Sequence, residues 1–203
     1  MGITERRERE KQEMRDLILS TAAALFVETG FEKTSIRTIA DKIEYSPATI
    51  YLYFKDKNEL FYAISQKAFA TFFEYFQTVP EMEDPMDRLH QLGHVYFKFA
   101  FENPGYYDLM FILRAPMDVK ETEEHWEVGA RSHSVLRNIV DDCQAAGYFQ
   151  NLNPEVLSHM IWSTVHGIVS LKIRDRMKVY AENERETLVE QSLDLFNNIL
   201  KNA

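Results

Sequence analysis

The sequence predicts an all-α protein of about nine helices, and three observations carry that reading. Apolar residues recur at helical spacing through nearly all of the 203 residues, while strand-type alternation is nearly absent. Breaks marked by glycine and proline cut the periodic pattern into segments of helix length. A hydrophobic share of 45% and a charged share of 27% are ordinary for a globular chain with a sizeable core.

The first helix is expected from about Thr4 to Thr29, with Ile18, Ala22, Leu25 and Phe26 on one face and Gly30 as a left-handed stop. A short helix from about Ser35 to Ile43 follows, with Thr34 in N-cap position. Ser46 caps a third, with Pro47 at its first position, where a missing N–H costs nothing; it ends near Phe54. Asp56 caps a fourth helix from about Lys57 to Gln77. The chain breaks from Pro80 to Pro85. Asp84-Pro85 then opens a fifth helix with a wide stripe of Leu89, Leu92, Gly93, Tyr96, Phe97, Ala100 and Phe101. Asn103-Pro104-Gly105 reads as a turn before a short aromatic helix from about Tyr106 to Leu113. The seventh runs from about Glu121 to Ala146 and stops at Gly147. Asn153-Pro154 opens the eighth, which lasts to about Arg176, and the ninth runs from about Glu184 to Leu200. The expected division is a first helical domain over 1–56, a linking helix over 57–77, and a second helical domain over 57–203.

No apolar run reaches the length of about eighteen residues that a membrane span needs, and charge from Glu5 onward does not read as a secretory signal. The lone Cys143 forms no internal disulfide and sits mid-helix as a small core residue. A cytoplasmic location is expected. The net charge of −9 is unevenly spread: residues 1–60 hold ten Lys and Arg against eleven Asp and Glu, and residues 61–203 hold thirteen against twenty-one. The acidity thus lies mostly in the second part, and the first part is close to neutral.

Three short helices within the first sixty residues suit a helix-turn-helix. The third carries Ser46, Pro47, Ala48, Thr49, Tyr51 and Tyr53, followed by Lys55 and Lys57. Small residues at its start let the backbone approach base edges in a major groove, and the hydroxyls and ammonium groups further on reach phosphates. Ile39, Ala40, Ile43, Ile50 and Phe54 form the inward side. At the start of the first helix, Arg6, Arg7, Arg9, Lys11 and Arg15 alternate with Glu5, Glu8, Glu10, Glu13 and Asp16. They read as i,i+4 pairs, or else as an arm to the DNA backbone.

On Ile18, Ala22, Phe26, Gly30, Phe31, Thr34, Ile36, Ile39 and Ala40, then Ser46, Thr49, Ile50, Tyr51, Tyr53, Phe54, Lys57, Leu60 and Phe61, the chain resembles the TetR/AcrR family of regulators. The resemblance implies that Arg37 reaches a base or phosphate and that Thr34, Tyr51, Tyr53 and Lys57 contact phosphate. It also implies that Ser46, Pro47, Ala48 and Thr49 face the groove. The family usually has glycine in the turn where this chain has Glu44; a non-glycine residue in a left-handed conformation costs on the order of 1 kcal/mol. Either the turn is shifted or the charge points away from DNA.

Residues 80–203 carry no defensible enzyme motif, and no catalytic role or cofactor is expected. Their aromatic density is core in the first instance. In the resembled family this region encloses an effector pocket, which makes Phe97, Phe101, Tyr106, Met110, Phe111, Trp126, Trp162 and His166 the ligand-binding candidates. Trp162 to Gly167 and Asn103 to Phe111 resemble a subgroup marked by a Trp…His-Gly signature. His90 and His94 stand at i,i+4, but no carboxylate or cysteine at matching spacing completes a metal site, and none is expected. Leu157, Ile161, Val165 and Ile168 on the eighth helix, with Leu188, Ser192, Leu195, Phe196 and Ile199 on the ninth, are expected to pair two copies. The expected activity is repression from a pseudo-palindromic DNA operator by a homodimer, relieved by a small apolar or aromatic ligand. The rivals are a ligand-independent DNA-binding adaptor and a helical metal-dependent enzyme.

Overall fold

The computed structural model describes residues 2–113 and 123–202, without the side chains of residues 3, 123–126 and 128. Its helices are α1 (Ile3–Thr29), α2 (Ile36–Lys42), α3 (Pro47–Tyr51), α4 (Lys57–Phe76), α5 (Pro85–Glu102), α6 (Pro104–Phe111), α7 (Glu123–Ala145), α8 (Pro154–Ile173) and α9 (Arg185–Lys201), with a short 3₁₀ turn over Glu182–Glu184. No strand occurs among the described residues.

The starts of α3, α4, α5 and α8 follow from side-chain caps. Ser46 accepts the Thr49 N–H at 3.3 Å, Asp56 the Glu59 N–H at 2.8 Å, Asp84 the Met86 N–H at 2.9 Å, and Asn153 the N–H groups of Glu155 and Val156 at 2.9 and 3.2 Å. Each satisfies a donor that the helix leaves without an intrahelical partner. One cap is corrected. Ser35, not Thr34, caps α2, accepting the Thr38 N–H at 3.0 Å, because Thr34 is turned into the core. Other boundaries shift for local reasons. After Tyr51 the chain tightens through bonds from Leu52 to Thr49 and from Tyr53 to Ile50, so α3 is shorter than its periodicity suggested. Asn103 alone separates α5 from α6, and Pro104 opens the next helix rather than a turn, its fixed φ suiting a first turn.

The stops are equally local. At Gly30 φ is 90° and ψ 153°, a region essentially closed to other residues rather than the left-handed helical one expected. Glu44 keeps the left-handed turn, with φ 62°. Around it the Tyr45 N–H reaches the Ala40 carbonyl at 3.0 Å and the Glu44 N–H the Asp41 carbonyl at 3.3 Å, the paired bonds of a Schellman motif. Its side chain is exposed. The turn after α2 is therefore not shifted; it is held at the expense of strain.

The chain divides into two compact units, one of residues 2–70 with 105–113 and one of 71–104 with 123–202 among the described residues. The division falls inside α4 and takes α6 into the first unit, unlike the boundary expected near residue 56. The first unit is sealed by Ile18, Ala22 and Phe26 of α1, Ile39 and Ala40 of α2, Ile50 and Phe54 at α3, and Leu60, Phe61 and Ile64 of α4, with Leu109 of α6. The rings of Phe26, Phe31 and Phe61 meet at centroid distances of 5.2 to 5.7 Å. The second unit buries Leu89, Leu92 and Phe99 of α5, Ile139, Val140 and Cys143 of α7, Val169 of α8, and Val189 and Leu193 of α9. Burial pushes the Cys143 thiol up to about 12, so it stays an uncharged core group.

The two positive-φ stops give opposite expectations. Glu44→Gly should raise the unfolding free energy by about 0.5–1 kcal/mol, relief of left-handed strain outweighing the added freedom of the unfolded chain. Gly30→Ala should lower it by about 1–3 kcal/mol. Urea denaturation of the two variants measures both, and a destabilised Glu44→Gly would show that the turn is not strained.

Candidate nucleic-acid interface

Ile50 and Phe54 are buried and fix the inward side of α3, which turns the opposite side outward. Ser46 and Ala48 are exposed there and Pro47 and Thr49 half-buried, so no long side chain stands between the backbone of this first turn and solvent. The Ser46 hydroxyl caps the helix and lies 3.1 Å from the Thr49 hydroxyl. The same Ser-x-x-Thr arrangement stands at the start of α2, where Ser35 and Thr38 share a 2.8 Å hydrogen bond. Arg37 is exposed on α2, Lys55 beyond α3 is exposed, and Tyr53 is half-buried. Tyr51 is 55% exposed and is not a core residue. Tyr45 and Leu52 are exposed beside it and were not singled out from sequence; Tyr45 lies in the turn and Leu52 in the tightened tail of α3.

Two residues expected on phosphate make hydrogen bonds inside this unit. Thr34 is 2% exposed, and its hydroxyl donates to the Gly30 carbonyl at 2.8 Å, with the Leu25 carbonyl at 3.3 Å. Lys57 donates its ammonium to the carbonyls of Phe31 at 2.7 Å and Thr34 at 3.0 Å and stands 4.1 Å from the centre of the Phe31 ring. A lysine at a helix start is unfavourably placed against the helix dipole. These carbonyls and the ring supply the compensation.

At the start of α1 the i,i+4 pairs form: Arg6 with Glu10 at 2.7 Å and Arg9 with Glu13 at 3.5 Å. Asp16 accepts from Gln12 and Lys67, and these bonds hold its carboxyl below the usual carboxylate range. Further along, Arg15 lies over the Phe54 ring at 5.0 Å. Lys11 and Arg15 line an open groove of about 330 Å³ with Leu52 and Tyr53, which brings basic residues of α1 beside the end of α3.

The ligand-binding candidates divide between the units. Tyr106 packs against the first unit's core, and Phe111, one residue beyond Met110, meets Tyr107 and Phe69 at 5.3 and 6.1 Å between ring centres. In the second unit Phe97 is buried and meets Phe101 at 5.6 Å, and the Tyr96 hydroxyl shares a 3.1 Å hydrogen bond with Nδ1 of His166. Burial lowers the affinity of that imidazole for a proton below its ordinary range. Trp162 stands at the unit's surface, its ring 6.4 Å from that of His166. The side chain of Trp126 lies outside the described residues.

Leu157, Ile161 and Val165, expected on a face between two copies, are instead 5–6% exposed within the second unit. The apolar residues that α8 turns outward are Val156, Met160, Trp162 and Leu171, since a helix apolar around much of its girth leaves its outward face open to misreading by one position. On α9, Ser192, Leu195 and Ile199 are exposed, while Leu188 and Phe196, like Ile168 on α8, are half-buried. A carboxylate does stand beside the His90 and His94 pair: Asp194 of α9 places Oδ1 3.2 Å from Nε2 of His90.

Residues 18–64 match the family model described as bacterial regulatory proteins, tetR family, and residues 89–196 match the model of the tetracyclin repressor-like C-terminal domain. Among curated proteins the chain is similar to the HTH-type transcriptional regulator HbdR of Aromatoleum, 26% identical over 165 residues that cover 76% of this chain and 68% of that protein. It is 24% identical to the HTH-type transcriptional repressor NicS of Pseudomonas putida over 140 residues, covering 68% and 66% of the two chains. A solved structure, the fatty acid degradation regulator FadR from Bacillus halodurans, shares the fold with a TM-score of 0.69 at 22% identity, over 89% of this chain and 93% of that one.

Lys57 provides the test of this geometry. Lys57→Ala should destabilise the protein by about 1.5–3 kcal/mol, the worth of hydrogen bonds made by a charged group, in equilibrium unfolding. A variant as stable as the parent would mean that its ammonium does not fasten α4 to the Phe31–Thr34 turn.

Proposed function

The chain belongs to the TetR family of bacterial regulatory proteins and is a DNA-binding transcriptional regulator; from that premise we propose that it is a homodimeric repressor released from its operator by a small apolar or aromatic ligand. The observation that carries the DNA side of this reading is the open first turn of α3, anchored from behind by Ile50 and Phe54, with Arg37, Tyr51 and Lys55 exposed in the same unit. In the reading, Ser46 to Thr49 enter the major groove, and Arg37, Tyr51, Tyr53 and Lys55 reach phosphates or base edges.

Dimerisation is supported by the exposed apolar residues Val156, Met160 and Leu171 of α8 and Leu195 and Ile199 of α9. A two-fold pair sets two α3 helices about one DNA turn apart, roughly 34–36 Å, or somewhat further, and reads a pseudo-palindrome. Ligand control is supported by the Tyr96–His166 pair, a polar contact among the aromatic side chains of α5 and α8 that can orient a ligand otherwise held by apolar surface. Ligand binding favours a form whose α3 helices are wrongly spaced, so ligand and operator oppose each other by one shared coupling free energy. A protein that acts on the chromosome works in the bacterial cytoplasm, and no described helix is long and apolar enough to cross a membrane.

Two measurements test the reading. Arg37→Ala should weaken operator binding and reduce the slope of log affinity against log salt by about 1, while an unchanged slope removes Arg37 from the phosphate contacts. Small apolar and aromatic compounds are then screened against the protein–operator complex. A compound that releases the DNA should bind the operator-loaded protein more weakly by the same factor by which it weakens operator affinity. A screen in which no compound changes operator affinity favours the ligand-independent alternative.

A further inference from the structure

We propose that His90, His94 and Asp194 form a binding site for one divalent transition-metal ion of the zinc class, with Glu190 as the carboxylate that orients His94. The site lies wholly in the second unit, between α5 and α9. His90 and His94 are one turn apart on α5, and Glu190 and Asp194 are one turn apart on α9. Between these pairs Gly93 meets Leu193: a Cβ at position 93 would stand 2.9 Å from Leu193 Cδ1. The missing side chain lets Leu193 nest against the α5 backbone, and that close approach brings the flanking imidazoles and carboxylates together.

The distances suit coordination. Nε2 of His90 lies 3.0 Å from Nε2 of His94 and 3.2 Å from Oδ1 of Asp194, and Nε2 of His94 lies 4.0 Å from the same oxygen. Bonds of about 2.0–2.1 Å to a tetrahedral ion set neighbouring ligand atoms about 3.3 Å apart, so small side-chain rotations close the triangle around one ion. The other ring nitrogen of His94, Nδ1, faces Oε2 of Glu190 at 3.8 Å. A ligating imidazole turns its remaining N–H to such a carboxylate, which fixes its tautomer and raises its basicity. An ion placed between the two facing Nε2 atoms engages both lone pairs and the Asp194 carboxylate at once.

Two imidazole nitrogens and one carboxylate oxygen select zinc, nickel or cobalt over calcium and magnesium, which take oxygen ligands. His90 and His94 are partly open to solvent and Asp194 more so, which gives an ion a path in and leaves a coordination position for water. Cys143 does not compete, being buried and protonated. An ion held only by the folded chain clamps α9 to α5 and stabilises that state.

The test uses the full-length protein, stripped of metal by chelator and titrated with Zn²⁺ alone by calorimetry and with Co²⁺ by visible absorption. One ion per subunit is expected, with the intense visible bands of four-coordinate Co²⁺ and a thermal midpoint raised by several degrees in Zn²⁺. Glu190→Gln should keep the stoichiometry and lose about 10–100-fold in affinity, the usual cost of an orienting partner, and His90→Ala or Asp194→Asn should lose about as much or more. His159→Ala, which removes an exposed histidine elsewhere on α8, should change nothing. Circular dichroism of each metal-free variant should match the parent, since these side chains lie at the surface. Absence of saturable one-to-one binding overturns the site. So does affinity retained in the His90→Ala, His94→Ala double variant, or lost equally in His159→Ala.

Discussion

The ammonium of Lys57 is the fastening on which the first unit depends. It ties the beginning of α4 to the carbonyls of Phe31 and Thr34, in the short turn that leads from α1 into α2. The Thr34 hydroxyl ties that turn back to Gly30 and Leu25, and the rings of Phe26, Phe31 and Phe61 pack around the junction. Three helices are thereby fixed at one place, and the position of α2 sets that of α3 through the Glu44 turn.

The Glu44 turn shows what the arrangement costs. Its Schellman bonds are complete, yet a residue with a Cβ occupies a conformation that glycine adopts freely. The carboxylate stands in solvent at the turn that precedes α3, in a region whose basic and acidic residues nearly cancel. Attraction to DNA therefore has to come from a few placed groups, Arg37 and Lys55 among them, and from the doubling of contacts in a dimer rather than from bulk charge.

Much of this was legible in the sequence, for identifiable reasons. Ser46 and Asp56 cap their helices where expected, and Asp84 and Asn153, each expected to open a helix with the proline that follows, cap theirs. The inward residues Ile39, Ala40, Ile50 and Phe54 follow from the helical period. Thr34 and Ser35 are both hydroxyl residues at a plausible cap, and only packing decides which one turns inward. On α8 nearly every face is apolar, so periodicity could not separate Leu157, Ile161 and Val165, which are buried, from Val156 and Met160, which are not. The partners of Lys57 are backbone carbonyls more than twenty positions away, and Asp194 stands a hundred residues from His94. Contacts of that kind leave no local pattern.

The account turns on a two-fold protein reading DNA through the first turn of α3. Selecting bound sequences from a random double-stranded pool with the full-length protein tests this most directly. The expected result is an enriched pseudo-palindrome whose half-site centres lie about one helical turn apart or somewhat further, with enrichment lost when Leu195 and Ile199 are both changed to Glu. Enrichment of a single asymmetric site, undiminished in that variant, would contradict it.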